Sequence, residues 1–119
     1  MRILVYGCGK IGETVLDQLG KNPEIETITM DPRDHPEALE NGMIDEVDID
    51  EPLTPMVIEG LVEKWSPDLI LLATSSKDLA LGHAPGLDML MDSLWAELAS
   101  ISPVPVIPVD RRTAETLHG

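Results

Sequence analysis

Apolar residues in this chain form two kinds of pattern, short unbroken runs and stripes at helical spacing. Strongly apolar runs predict two strands, Ile3–Tyr6 and Asp68–Thr74. Three further strands are predicted at Ile25–Met30, which is rich in β-branched residues, at Met43–Ile49, a weaker and acidic segment, and at Val104–Val109. Apolar residues three or four positions apart predict three helices, Ile11–Leu19, Pro52–Trp65 and Leu87–Ser100, and a single helical turn at Glu37–Glu40. Strands and helices therefore alternate along the whole chain.

This alternation predicts an α/β fold, a parallel sheet with helices on both faces. Right-handed crossovers favour the strand order 3-2-1-4-5. The expected architecture is a Rossmann-like doubly wound sheet of about five strands in a single domain, residues 1–110, followed by a polar tail at 111–119. Pro103 and Pro105 have the same parity and remove backbone donors from one side, which predicts that the fifth strand is an edge strand.

Three glycines directly follow the first predicted strand in the spacing G-x-G-x-x-G. Gly7 permits a tight turn, Gly9 allows a phosphate to approach the backbone, and Gly12 lets the following helix lie close to the strand. The helix N-terminus then directs free N–H groups and its positive dipole end towards a pyrophosphate. The cofactor-binding residues predicted in this turn are Gly7, Cys8, Gly9, Lys10, Ile11 and Gly12.

The second predicted strand ends at an acidic residue, Asp31, about 20 positions after Gly12, as in dinucleotide-binding folds. A carboxylate there accepts hydrogen bonds from both adenosine ribose hydroxyls and repels a 2′-phosphate, which favours NAD over NADP or another adenine nucleotide. Arg33 keeps NADP open, because a guanidinium accepts that phosphate. Pro32 and Arg33 complete this part of the predicted site. The alternative interpretation makes Asp31 a turn residue ahead of Pro32.

Several further residues have both a ligand-binding and a structural interpretation. Lys10 either contacts a phosphate or remains solvated at the start of a helix. Cys8 is interpreted as a small packed residue of the turn rather than as a nucleophile. Ala73, Thr74 and Ser75 end the fourth predicted strand beside the reversal of strand order, where open α/β sheets bind ligands. For the two hydroxyl residues, local turn hydrogen bonding is the alternative.

The charge and the cysteine content of the chain restrict the classes of partner and the compartment that are expected. The 119 residues include 22 acidic and 8 basic residues, a formal net charge of −14, which disfavours nucleic acid and anionic membranes as partners. The chain has no apolar run long enough for membrane insertion and no signal-peptide pattern. The single cysteine cannot form an internal disulfide, and a cytoplasmic protein is expected. No spacing of ligand residues predicts a metal site, and no pattern identifies a catalytic residue.

With these motifs the chain resembles the N-terminal NAD-binding domain of the TrkA/RCK family, the regulators of potassium transport. The resemblance is carried by GCGKIG at 7–12, by Asp31, by the acidic run before the fourth unit and by PDLILLATSS at 67–76. It implies NAD(H) or adenine-nucleotide binding and dimers formed by such domains. It also implies that the three glycines contact the pyrophosphate, Asp31 the adenosine ribose, and Thr74 the distal part of the nucleotide.

Three functions remain open from the sequence. The first is a stand-alone nucleotide-binding domain with a regulatory or sensing role, acting on a partner protein or as a homodimer. The second is an NAD-dependent oxidoreductase or its cofactor-binding subunit, since dehydrogenase cofactor domains share these motifs; an added substrate domain is not evident, which weighs against it. The third is a degenerate Rossmann fold that acts only as an interaction module. The glycine-rich stretch at 82–86 departs from the family pattern.

Overall fold

A computed structural model describes residues 1–73 and 87–109, the side chains of 87–92 and 94 excepted. Thr74, Ser75 and the tail at 111–119 lie outside the described residues. The elements in chain order are β1 (Arg2–Tyr6), α1 (Lys10–Leu19), β2 (Glu26–Met30), α2 (Glu37–Glu40), α3 (Ile58–Trp65), β3 (Leu69–Leu72), α4 (Leu87–Ile101) and β4 (Val106–Pro108). No helix among the described residues combines the length and apolar character needed to cross a membrane.

The four strands form one parallel sheet in the order β2-β1-β3-β4. Ile3 of β1 pairs with Thr27 of β2 on one side and with Leu69 of β3 on the other. The α/β fold with a parallel sheet is therefore confirmed and is compatible with a Rossmann-like domain. The prediction of five strands in the order 3-2-1-4-5 was wrong, because the third predicted strand does not form.

A side chain interrupts the ladder where that third strand was expected. Within Met43–Ile49, only Ile49 pairs with β2, through a parallel bridge to Met30. The Asp48 carboxylate accepts hydrogen bonds from the Thr29 backbone N–H at 2.9 Å and the Thr29 hydroxyl at 3.1 Å. It thus takes the place of a strand carbonyl at the edge of β2. The segment is rich in acidic residues, which favour strands poorly, and side-chain bonding replaces the ladder.

Apolar side chains fill both faces of the sheet. On one face, α1 and α2 pack against alternate strand residues, and this cluster includes Ile3, Val5, Val15, Leu19, Ala38 and Leu71. On the other face, α3 and α4 pack against the intervening strand residues, and this cluster includes Leu4, Tyr6, Ile28, Ile58, Ile70, Trp95 and Leu98. Strands with apolar residues at every position are therefore buried on both sides, as the unbroken runs indicated.

The start of α3 differs from the sequence-based expectation, whereas its end agrees with it. The helix predicted from Pro52 begins at Ile58, because the preceding residues form a turn in which the Val57 N–H bonds the Thr54 carbonyl at 3.1 Å. The side chain of Leu53, just before that turn, is nevertheless buried in the core. The helix ends at Trp65, as predicted, and the C-cap residue Ser66 closes the last turn with a positive φ of 51°.

β4 is an edge strand, paired with β3 alone among the described strands, as predicted. The sequence correctly predicted an edge strand, but Pro103 and Pro105, from which the prediction was made, do not lie in that strand. Both residues precede it. The Val109 N–H donates to the Leu72 carbonyl, so Pro108, one residue earlier, directs its nitrogen away from β3. A proline at that position removes an unpaired edge donor without loss of a ladder hydrogen bond.

We expect Asp48→Ala to lower the free energy of unfolding by about 1–3 kcal/mol, because it leaves the buried N–H of Thr29 without its acceptor. Urea unfolding measures the change. Asp50→Ala is the matched control, since Asp50 is exposed and no hydrogen bond of its side chain is seen in the described part of the chain. The control should change stability by no more than about 0.5 kcal/mol. Equal effects of the two substitutions would contradict the role assigned to Asp48.

Candidate functional site

The turn between β1 and α1 has a backbone that requires glycine at two of its three glycine positions. Gly7 has φ +102°, and its N–H donates to the Met30 carbonyl at 2.7 Å. A Cβ on Gly12 would overlap the carbonyl oxygen of Gly7. Gly9 has an extended backbone, and its carbonyl accepts the first hydrogen bond of α1 from the Glu13 N–H at 2.8 Å. The glycine spacing thus produces a tight strand-to-helix turn.

This turn lies where the strand order reverses. β1 has β2 on one side and β3 on the other, and open α/β sheets bind ligands in the crevice outside such strand ends. The Ala73 N–H donates to the Tyr6 carbonyl at 2.8 Å, which places the end of β3 next to the start of the turn. The structure therefore brings residues 7–12 and Ala73 together. The predicted neighbours Thr74 and Ser75 fall outside the described residues.

Asp31 joins the end of β2 to the glycine turn through a buried carboxylate. The Cys8 N–H donates to Oδ2 at 2.8 Å. Arg33 donates its backbone N–H and Nε to Oδ1, at 2.9 and 3.1 Å, and its Nη2 to Oδ2 at 2.9 Å. The bond to the Arg33 N–H is the turn interaction given above as the alternative role of Asp31. Asp31, Arg33 and the turn are thus brought together, and Pro32 lies between the first two in sequence.

Opposing effects set the ionisation of this carboxylate. Burial raises the pKa of Asp31, but the hydrogen bonds from Arg33 and the Cys8 amide together outweigh burial and hold the pKa below its usual value. The carboxylate is only 2% exposed, so its charge is compensated almost entirely by the Arg33 guanidinium and the two backbone donors. An ionised Asp31 is therefore an acceptor for hydroxyl or guanidinium donors near neutral pH.

The short helix α2 packs on the turn, a contact that the sequence analysis missed. The Ala38 N–H donates to the Cys8 carbonyl at 2.9 Å, and Pro36 and Ala38 are both buried. Residues 7–9 are buried as well, and Lys10 is the first exposed residue of the turn. A phosphate approaching the N-terminus of α1 would meet Lys10 first. The sequence signal for this contact was the pair of apolar residues in α2, Ala38 and Leu39.

Cys8 contributes packing and a backbone donor. Its side chain is buried in the core beneath α1, and burial, followed by the nearby charge of Asp31, raises the pKa of its thiol to about 12. The thiol is protonated at neutral pH and is a poor nucleophile. Its role as a small packed residue agrees with this burial. Any ligand contact of Cys8 must use its backbone, because the side chain faces the core.

Two cavities lie near the end of β2. The smaller, of about 220 Å³, is lined by Arg33 together with acidic residues: Asp34, Asp45, Glu46 and Asp50. The larger, of about 420 Å³, runs along α3 and includes no residue of the glycine turn. The smaller cavity is not lined by the glycine turn either, but it is the relevant one because Arg33, which bonds Asp31, lines it. Within the described residues, no three His, Cys, Asp or Glu side chains converge to hold a metal ion.

Comparisons with family models, curated proteins and solved structures found no significant match for this chain. The resemblance to potassium-transport regulators therefore remains an expectation from the motif residues. The geometry of the turn and of Asp31 provides the basis for a functional proposal.

We expect Gly12→Ala to destabilise the protein by several kcal/mol or prevent folding, because the new Cβ would overlap the Gly7 carbonyl and force the turn apart. Gly60→Ala is the matched control. Gly60 lies on the exposed side of α3 with open space around its Cα, so alanine there should raise stability by about 0.5–1 kcal/mol. Thermal and urea unfolding compare the two variants. A Gly12→Ala protein as stable as the wild type would contradict the close packing described.

A second prediction concerns pH. Because the folded-state pKa of Asp31 is lowered, its ionised form stabilises the fold at pH values above the unfolded pKa of about 3.9. This contribution is lost as pH falls through the lower folded-state pKa. We therefore expect the urea unfolding free energy of the wild type to fall more steeply below about pH 4 than that of Asp31→Asn. Identical slopes for the wild type and Asp31→Asn would contradict the prediction.

Proposed function

We propose that this protein is a Rossmann-like domain that binds NAD(H) or an adenine nucleotide and serves a regulatory or sensing role. The observation that carries the proposal is the glycine turn at the reversal of strand order, with the Asp31 carboxylate bound to its Cys8 amide. This arrangement combines a helix N-terminus, which favours phosphate, with an anionic acceptor at the end of the neighbouring strand, which favours ribose hydroxyls.

The proposal gives each residue a role. The first turn of α1 and Lys10 receive the pyrophosphate, and the Asp31 carboxylate receives the adenosine ribose. Ala73 lies beside the turn, and Thr74 and Ser75 are proposed to extend that wall towards the second half of a dinucleotide. Association into a homodimer or with a partner protein, and the TrkA/RCK-type regulatory role, belong to the same proposal.

Charge favours NAD over NADP in this proposal. A 2′-phosphate at the ribose would lie near the buried carboxylate of Asp31 and near Glu37, and acidic residues line the adjacent cavity. Arg33 alone among the residues lining that cavity is cationic. The net charge of −14 repels any anionic ligand at long range. Added salt should screen this repulsion, so low ionic strength should favour binding less than is usual for an anionic ligand.

A second candidate function, a degenerate fold that acts as an interaction module, is favoured by a specific observation. Residues 7–9 are buried and both oxygens of Asp31 already accept two hydrogen bonds each. A turn that is packed in this way can be retained for its structural role. Ligand binding distinguishes the two candidates.

We expect NAD⁺ or NADH to raise the unfolding temperature more than NADP⁺ does, with ATP and AMP compared in the same thermal-unfolding assay. At about a hundred times its Kd, a ligand adds roughly 2.7 kcal/mol of stability. Lys10→Gln should weaken the binding of the ligand several-fold, since it removes the exposed cation at the turn. Lys21→Gln removes the same charge beyond the other end of α1 and should have little effect. A protein that no nucleotide stabilises would leave the interaction module as the function.

A further inference from the structure

The Arg33 side chain occupies the two acceptor positions on Asp31 that a ribose needs. Its Nε donates to Oδ1 at 3.1 Å and its Nη2 donates to Oδ2 at 2.9 Å, one bond to each oxygen. The vicinal 2′ and 3′ hydroxyls of a ribose offer the same pattern, two neighbouring donors for one carboxylate. A guanidinium fork and a ribose diol therefore compete for one pair of acceptors.

We infer that Arg33 is an internal competitor of the ribose diol, so that a nucleotide binds only by displacing its guanidinium from Asp31. This inference rests on the proposed nucleotide-binding function and names the residue that sets the affinity of the site. It also specifies the ligand class, adenine ribonucleotides in which both ribose hydroxyls are free. Ligands without the diol lack the donors needed to replace both bonds of the fork.

The carboxylate remains oriented when the guanidinium leaves. The Cys8 N–H continues to bind Oδ2 and the Arg33 backbone N–H continues to bind Oδ1, at 2.8 and 2.9 Å. Each oxygen then has one acceptor position available. The exchange thus requires rotation of one side chain, with the backbone of β2 and of the glycine turn unchanged.

A second carboxylate is in place to receive the displaced guanidinium. Glu37 Oε2 is buried, makes no hydrogen bond within the described part of the chain, and lies 3.6 Å from Arg33 Nη2. A buried carboxylate oxygen without a donor is costly, and a small movement of Arg33 towards Glu37 would satisfy it. The acidic cavity of about 220 Å³ that Arg33 lines provides space on the same side. Arg33 therefore lies between two acceptors, Asp31 and Glu37.

The exchange lowers the apparent affinity of the wild type. When the binding-competent state is a minor one, the apparent Kd rises by the inverse of its population. With the competent state at about 10% or less, removal of the competing fork should tighten ribonucleotide binding about tenfold or more. This gain opposes the electrostatic effect of the substitution, because loss of a cation should weaken the binding of an anionic ligand.

Isothermal titration with NAD⁺ and AMP tests the inference in the wild type, Arg33→Gln and Lys21→Gln. We expect Arg33→Gln to bind both ligands about tenfold more tightly than the wild type, while Lys21→Gln, with the same change in net charge, binds like the wild type. The gain should be much smaller for 2′-deoxy-AMP, which lacks the diol. Arg33→Lys, a milder substitution that retains the charge without the fork, should lie between the wild type and Arg33→Gln. It provides the test if Arg33→Gln does not fold.

Glu37→Gln completes a double-mutant cycle. In the wild-type background it should weaken NAD⁺ binding, because the displaced guanidinium loses its charged acceptor. In the Arg33→Gln background it should have little effect. Binding by all proteins with no gain in Arg33→Gln and Arg33→Lys would overturn the competitor role and leave the proposed function intact. Binding of no nucleotide by any of these proteins would overturn both.

Discussion

The buried charge of Asp31 is the constraint on which the site end of this fold depends. A carboxylate removed from water is tolerated only when cationic and hydrogen-bond donors surround it, and Asp31 draws its donors from the glycine turn and from the loop after β2. The Asp31 carboxylate thereby joins the glycine turn to the end of β2 and binds the Arg33 side chain. The Cys8 carbonyl of the same turn accepts a hydrogen bond from α2, so the turn is joined to both the loop after β2 and the short helix that follows that loop.

The same carboxylate stabilises the fold and is the proposed ribose acceptor, and the two roles conflict. Because its four acceptor positions are filled from within the protein, a ligand must exchange with a bond already present. Binding by exchange releases less free energy than binding to an unoccupied carboxylate, because each hydrogen bond to the ligand replaces one within the protein. It also increases discrimination, because only a donor pair that matches the guanidinium fork recovers both positions.

Which features of the fold and site the sequence predicted depends on whether they arise from local patterns or from contacts between residues distant in sequence. The strands β1 and β3, the amphipathic α1 and the glycine turn came from local patterns: unbroken apolar runs, helical spacing, and a turn that only glycine can form at Gly7 and Gly12. The absence of the strand predicted at 43–49 depends instead on a non-local contact. The Asp48 carboxylate bonds Thr29, 19 positions earlier in the chain, and local patterns do not reveal that contact. The Asp31–Arg33 pair was missed for a different reason. Both residues were identified as ligand contacts, and their bonding to each other emerged only in three dimensions.

Arg33 links the stability of the fold to the proposed binding of a nucleotide. Without a cation beside it, the buried Asp31 would repel Glu37 across a poorly solvated space, and in a chain with 22 acidic and 8 basic residues few other cations are available. A guanidinium bound to Asp31 therefore stabilises the protein before any ligand arrives. A ribose that displaces it takes over the hydrogen bonds but brings no positive charge, so the guanidinium must remain close by. In the proposed exchange, Glu37, at 3.6 Å, would let Arg33 stay within the electrostatic reach of Asp31 while it releases the acceptors. Under the proposal, Glu37 is thus the residue that makes an occupied Asp31 carboxylate compatible with nucleotide binding.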